Sequence, residues 1–508
     1  MARRGRSQIK AKQPLSYNRH KSYRHLRHPF AGQAIISDDE VYHLHQKALQ
    51  ALEELGISFP LEEARQLFQK AGATIKDDMV YIGKEIIEEA LKSAPSSMPL
   101  YGADGRHHHD YDAKALLFAP AGGCPNVSDH IHGRRPGDRQ SYLDALKLTD
   151  GFDALHIQSV APEPQDIAVQ LRHIFMVEAQ LAHSDKILSL YARGRGQLEQ
   201  SFELIQTALH LSDEEFRNHI HAITIVNSNS PRIFDKPMAQ AIIDFAKAGQ
   251  LSIITPFCLA GAMAPISIEG ALLLQHMECL AAIALSQLAR KGAPVSYGGF
   301  SSNVDMRSGS PAFGTPEHMR MQIISGQLAR YIGLPWRSAA GSAAVIADAQ
   351  AVTENMNALW GAMAGNANLV LHAAGWLEGG LTFGFEKFIT DLEALQIIAE
   401  LCQSHKADSL DEAFDAIAST KPGGHFFDNP HTMARYQDAF YEPLNADLSN
   451  FGTWQKKGSQ SAEMRACGLW QDKLASYRQP EAGQIRQDAI ATLAESMRQK
   501  GGAAPLDS

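Results

Sequence analysis

Very little in this sequence suits a disulfide-stapled, membrane-spanning or nucleic-acid-binding protein. It has five cysteines, Cys124, Cys258, Cys279, Cys402 and Cys467, an odd number with no C-x-x-C pair. That argues against a disulfide framework and fits reduced thiols in the cytoplasm. No continuous apolar run reaches the roughly 18–20 residues that a bilayer span needs. The opening MARRGRSQIK is basic but lacks the apolar stretch of a secretory signal. Charged residues are 20% of the chain, and the net charge of −9 gives no positive field for nucleic acid. The common catalytic signatures are missing as well. There is no G-x-G-x-x-G after the first apolar strand, no phosphate-binding Walker loop and no G-x-S-x-G.

What remains, 508 residues with 44% hydrophobic content, is the composition of a large globular enzyme. Residues 1–36 form a basic N-terminal arm: Arg3, Arg4, Arg6, Lys10, Lys12, Arg19, Lys21, Arg24 and Arg27 occur with no acid among the first 30. At Ser37 the pattern turns helical. Ser37 and Glu40 have capping-box spacing, and Val41, Leu44, Ala48, Leu52 and Leu55 follow on one face. Residues 37–110 read as a small helical layer with one short strand pair.

From 111 to 403, strand and helix patterns alternate. Apolar strand candidates lie at 116–120, 154–160, 186–191, 222–227, 251–257, 294–297, 334–338 and 367–372, spaced roughly 30 to 42 residues apart, which is one β-α unit each. Eight such units predict a (β/α)8 TIM barrel, with a doubly wound open sheet as the alternative. Residues 404–508 read as a C-terminal helical and aromatic extension.

On a barrel, chemistry belongs just past the strands. There the sequence offers aromatics, amides and small residues but few ionisable groups. The stretch 367–385, ANLVLHAAGWLEGGLTFGF, passes from strand to loop chemistry and places His372, Trp376 and Glu378 at the mouth. Tyr297, Phe300, Phe383 and Phe427 are candidate ring faces for a quaternary ammonium cation. Metal readings fare poorly. His107-His108-His109-Asp110 precedes the first strand, and His130-Ile131-His132 comes about ten residues too late for the H-x-H of a metal-dependent hydrolase, which in addition needs further convergent ligands.

Three stretches then carry a resemblance: GGFSSNVDMRSGSPAFGTPE (298–317), AGWLEGGLTFGFEKFITD (374–391) and HFFDNPHTMARYQDAFYEP (425–443), followed by Trp454, Gly458-Ser459 and Arg465-Ala466. Together they resemble the trimethylamine methyltransferase family across nearly the whole chain. The resemblance implies a TIM barrel that moves a methyl group from a methylated amine to the cobalt of a separate corrinoid protein. In the pyrrolysine-containing members the special residue falls in the segment that here reads GSAAVIADAQA (341–351), at or near Val345. A short apolar side chain there implies the non-pyrrolysine branch, which uses a quaternary amine such as glycine betaine.

The implied assignments are as follows. Arg337 or Arg193 binds a substrate carboxylate, with His372 orienting it. Tyr297, Phe300, Trp376, Glu378, Phe383 and Phe427 line the substrate. Val345, Gly298, Gly299 and Asn229 form the rim that faces the corrinoid. No metal is bound by the chain, and no D-x-H-x-x-G motif is present to hold cobalamin, so the corrinoid comes on a partner. A homo-oligomer is expected. A tetrahydrofolate-dependent methyltransferase and a betaine-binding protein without turnover are the alternatives.

Overall fold

In the computed structural model, residues 22–403, 409–437 and 439–506 are described. Seven short strands, β1 (Leu117–Phe118), β2 (Leu188–Ser189), β3 (Ala222–Val226), β4 (Leu251–Ile254), β5 (Val295–Gly298), β6 (Trp336–Ala339) and β7 (Leu369–Leu371), form one parallel sheet. Its order is β1-β7-β6-β5-β4-β3-β2. The two edges are joined by the remaining expected strand. His156 N–H donates to the Phe118 carbonyl and Gln158 N–H to the Ile187 carbonyl, each at 2.9 Å. All eight predicted staves are thus in place. The 156–158 stave lacks a regular ladder because His156 Nδ1, rather than a carbonyl, accepts the N–H of Phe118 at 2.9 Å.

Strand alternation divides the side chains between two compartments. Leu117, Ala119, Ile157, Ile223, Ile253 and Leu369 fill the lumen. Met98, Leu100 and Tyr111, from the hairpin of Met98–Tyr101 and His107–Tyr111, plug it from the strands' N-terminal end. The Tyr111 hydroxyl meets Ser296 Oγ at 2.9 Å inside the barrel. The lumen is therefore packed from the strands' N-terminal end.

The N-terminal layer holds more strand than the one expected pair: Ile57–Ser58, Met79–Tyr81 and Thr74–Lys76 form a three-stranded sheet, and the hairpin of Met98–Tyr101 and His107–Tyr111 adds another pair. Helix α1 (Asp38–Glu54) carries the Ser37–Glu40 capping box, and α2 (Lys84–Ser93) lies with it on α3 (Ile268–Ala289). Helix α3 is long and apolar enough to cross a membrane, but most of it is buried between helices and strands, which explains its composition. Of the basic N-terminal arm, residues 1–21 lie outside the described residues. Residues 22–36 run across the barrel floor, where Arg24 pairs with Asp153 and Arg27 with Asp112, each at 2.9 Å, and His28 Nε2 meets the Ala367 carbonyl at 2.6 Å. Acids distant in sequence supply the partners that the arm itself lacks.

Two helices after β6 and β7, α4 (Ala349–Ala364) and α5 (Phe385–Leu401), complete the outer wall near the site. A helix not foreseen from the sequence, Ala462–Ser476, stacks Trp470 on Phe385 at 4.9 Å and donates its indole N–H to Glu386.

The floor also collects histidines. His109 packs edge-on to His156 with ring centroids 5.0 Å apart. Burial, and then neighbouring imidazoles, push the His109 pKa down to about 2; burial lowers His156 and His221 to about 4. These rings fold neutral. Below the unfolded-state value of about 6.5 the unfolded chain binds protons that the folded chain refuses, so stability is full above that pH and falls as pH drops toward 4. Each such ring can contribute up to about 1.4 kcal/mol per pH unit in this window. Urea midpoints should therefore decline from pH 6.5 to 4.5, and His156→Asn should flatten the decline; an unchanged slope in that variant would exclude His156 as a contributor.

Candidate active site

At the strands' C-terminal ends one cluster of rings closes the lumen. Phe257 follows β4; Phe300 and Phe313 follow β5; His372 and Trp376 follow β7. Phe300 is the hub, 5.1 Å from Phe257, 5.0 Å from Phe313, 5.2 Å from His372 and 5.4 Å from Trp376, centroid to centroid. His372 stacks on Trp376 at 4.7 Å. His318, in the first turn of the helix Pro316–Ile332, meets Phe313 at 5.5 Å.

Beneath the rings lies a charge. Arg337 on β6 is fully buried, with its guanidinium carbon 5.2 Å from the Phe300 ring centre. Its Nε and Nη1 have no hydrogen-bond partner among the described residues. Burial lowers its pKa to about 9, which still leaves it cationic at neutral pH. A buried cation without an anion is costly. Here it has two donors free and an aromatic face above it.

His372 is strained and neutral. Its φ is +57°, a left-handed conformation uncommon outside glycine. The N–H of Gly122 donates to its Nδ1 at 3.3 Å, so the ring proton sits on Nε2. Burial, then the charge of Arg337, hold its pKa well below the ordinary histidine value. The indole Nε1 of Trp376 is buried and also lacks a partner among the described residues.

A buried polar relay fixes this geometry. Asp391 of α5 accepts the Gly375 N–H at 2.9 Å and the Asn355 side-chain amide at 2.9 Å, and it pairs with Lys387 one turn away. Asn355 Oδ1 in turn accepts the Gly341 N–H at 2.8 Å. Gly341 and Gly375 flank Trp376 from the β6 and β7 loops. At Gly341, with φ +104°, a Cβ would lie 2.3 Å from Trp376 Cε3, so only glycine fits against the indole.

The structure brings Phe300, Arg337, His372 and Trp376 together and separates the other expected site residues from them. Tyr297 points outward, because its neighbour Ser296 faces the lumen; its hydroxyl meets His276 Nδ1 at 3.1 Å and Gln275 at 3.4 Å in the helical layer. Phe383 is buried against Phe385 and Phe388. Glu378 is engaged by Arg134 Nε at 2.8 Å and the Thr382 hydroxyl at 3.0 Å, so it braces the hairpin beside the mouth. Phe427 is exposed on the C-terminal extension and packs beside His425. Arg193 stands at the entrance to the helix Arg195–Leu209, its backbone held by Gln197 and Leu506, and no contact joins it to the cluster among the described residues.

The expected rim divides similarly. Val345 and Asn229 are exposed, on the loops after β6 and β3. Gly298 and Gly299 are buried at the end of β5, against β4 and Gln275 of α3, and present nothing to the outside. Phe257, Phe313 and His318 were not singled out from the sequence, although Phe313 lies inside the motif 298–317. The signal for Lys387 and Asp391 was their spacing of four residues, which puts opposite charges on one face of the helix.

Comparisons with known proteins agree along most of the chain. The trimethylamine methyltransferase family profile matches residues 2–502. Glycine betaine methyltransferase of Desulfitobacterium hafniense (strain Y51) is 34% identical over 448 residues, 88% of this chain and 93% of that protein. Trimethylamine methyltransferase MttB of Desulfitobacterium hafniense (strain DSM 10664 / DCB-2) is 27% identical, covering 86% and 88% of the two chains. Proline betaine:corrinoid methyltransferase of Eubacterium limosum is 26% identical, covering 90% and 96%.

Proposed function

Because this chain belongs to the trimethylamine methyltransferase family and is a methyltransferase, we propose that its methyl donor is a carboxylate-bearing quaternary amine, glycine betaine first among them, and that its acceptor is the cob(I)alamin of a separate corrinoid protein. The observation that carries this reading is the unpaired guanidinium of Arg337 under an aromatic cluster. A trimethylammonium group with a carboxylate a few atoms away matches it end to end. Trimethylamine has no group for Arg337 to bind.

The cobalt supplies the electron pair that attacks the methyl carbon. The chain's own residues supply position and dryness. Arg337 Nε, with Nη2 on the same edge of the guanidinium, binds the carboxylate in the two-pronged geometry that guanidinium favours, and the Nε2–H of His372 and the indole N–H of Trp376 are further donors at the cluster. The faces of Phe300, Phe313 and Trp376 replace the water around the cation, each ring stabilising it by roughly 0.5–2 kcal/mol. When the N–CH3 bond breaks, its electrons stay on nitrogen and a neutral tertiary amine departs. No proton has to be delivered, which agrees with a neutral His372 and with a Glu378 already engaged by Arg134. The exposed Val345, on the loop after β6, stands where a docking protein reaches the mouth.

The test is a spectral assay with purified corrinoid protein reduced to the cob(I) state. Glycine betaine should methylate it, and trimethylamine should be at least about tenfold slower, a difference of about 1.4 kcal/mol. Equal rates with trimethylamine would remove the quaternary-substrate reading. Methylation of tetrahydrofolate without corrinoid protein would favour the folate-dependent alternative, and betaine binding with no turnover on either acceptor would favour the non-catalytic one.

A further inference from the structure

Beyond α5 the chain forms a hairpin with almost no core. Helix α6 (Leu410–Ser419) buries one residue, Ala416, and α7 (Pro430–Arg435) buries none. The two are held by Asn429, whose amide donates to the Ala416 carbonyl at 3.3 Å. Leu410, Phe414 and Ile417, on one face of α6, are 84%, 68% and 63% exposed, and Phe427 in the connecting loop is 83% exposed. A ten-residue helix is marginal in water without tertiary packing, and a face this apolar marks a contact surface.

We infer that this hairpin is an exchanged arm, and that the surface covering it is the flank of a second copy of this chain, formed by the outer faces of α4 and α5. Three observations select that occupant. First, the flank is the matching uncovered surface: Trp360 of α4 and Ile397 and Leu401 of α5 are exposed apolar residues near the same ends of neighbouring helices. Second, arm and flank are continuous. The chain leaves α5 at its C-terminal end and returns beside it, where the Tyr441 hydroxyl donates to Gln396 at 3.5 Å and the Ala446 N–H to Glu393 at 3.3 Å. A two-fold axis beside this root lays each arm on the other chain's flank, and such an isologous contact closes on itself. Third, the area suffices. Aromatic side chains bury roughly 150–250 Å² each, so covering the arm residues together with Trp360, Ile397 and Leu401 removes on the order of 800 Å² per chain, the size of a standard interface.

The root also lies at the floor end of the barrel: Glu400, beside it, takes the hydroxyl of Tyr23 at 2.7 Å. Arm exchange therefore begins away from the ring cluster and leaves the mouth open. A partner that must dock and leave at every turnover is a poor permanent cover for so apolar a face, whereas a second copy is always at hand.

Light scattering on the eluting full-length protein should give the mass of two chains or an even multiple, and Phe414→Glu combined with Ile417→Glu should reduce it to one. Mixing an Ile417→Cys protein with a Trp360→Cys protein under mild oxidation should yield an interchain disulfide that wild-type protein, with its own cysteines, does not form. A one-chain mass for wild type at micromolar concentration would overturn the proposal, and so would an oligomer that survives the double substitution or a mixture that gives no interchain bond. None of these readouts depends on which amine or acceptor the enzyme uses.

Discussion

Arg337→Met should weaken glycine betaine binding by roughly 100-fold or more and at the same time leave the ligand-free protein as stable as before, or more so. Both halves follow from the same observation. In the wild type the guanidinium is fully buried, and Nε and Nη1 have no partner among the described residues. An ionised group that is buried without a counter-ion destabilises the fold, and replacing it by an apolar side chain of similar length removes that cost. A substrate carboxylate restores what is missing, since a hydrogen bond to a charged group is worth about 1.5–3 kcal/mol and a two-pronged pair more. Losing it amounts to about two or more factors of ten. Arg337→Lys keeps the charge but not the fork and should fall between the two. A quaternary amine without a carboxylate should bind the methionine variant no worse than wild type. Calorimetric titration with urea unfolding reads both effects; unchanged betaine affinity in Arg337→Met would end the carboxylate assignment.

Asp391→Ala should be the most damaging single change near the site, costing about 3–5 kcal/mol of stability, the usual range when one partner of a buried ion pair is removed. Lys387 and Asp391 are both almost wholly buried, so a lone Lys387 ammonium has no route to water. The substitution also strips the acceptors from Gly375 N–H and from the Asn355 amide. A double change, Lys387→Met with Asp391→Leu, leaves no buried charge and should regain most of the stability. It should not regain betaine affinity, because the Gly375 turn and, through Asn355, the Gly341 turn lose the anchor that sets Trp376 between them. The pair thus separates holding the fold from positioning the ring. A cost below about 1 kcal/mol for Asp391→Ala would show that the network is not holding these loops.

The distance between what the chain order implies and what the site contains is clearest at β5. The apolar pattern placed the strand at 294–297 and it is observed at Val295–Gly298, yet Tyr297, the most conspicuous residue on it, faces the helices. One residue of uncertainty at a strand end decides which compartment a side chain enters, because successive side chains point to opposite faces. Phe300 and Arg337 fell on the inner side, and nothing in the pattern distinguished them from Tyr297. Phe427 shows a different failure: an aromatic in a conspicuous motif can serve a surface outside its own domain as readily as a pocket within it.

The sequence by itself determined the barrel. Eight apolar staves alternating with amphipathic helices are a property of local periodicity, and periodicity is written along the chain. It also located the loop ends where chemistry gathers, through the change from strand to glycine and aromatic composition after residue 371, and its motifs pointed to the methyltransferase family. Only the tertiary structure decided which ring meets which, that Arg337 stands unpaired while Glu378 finds Arg134 across 244 positions, and that Lys387, Asp391 and Asn355 hold two distant glycine turns. Burial and pairing arise from residues far apart in the chain, and a buried charge becomes a binding group only when every neighbour that could neutralise it has been placed elsewhere.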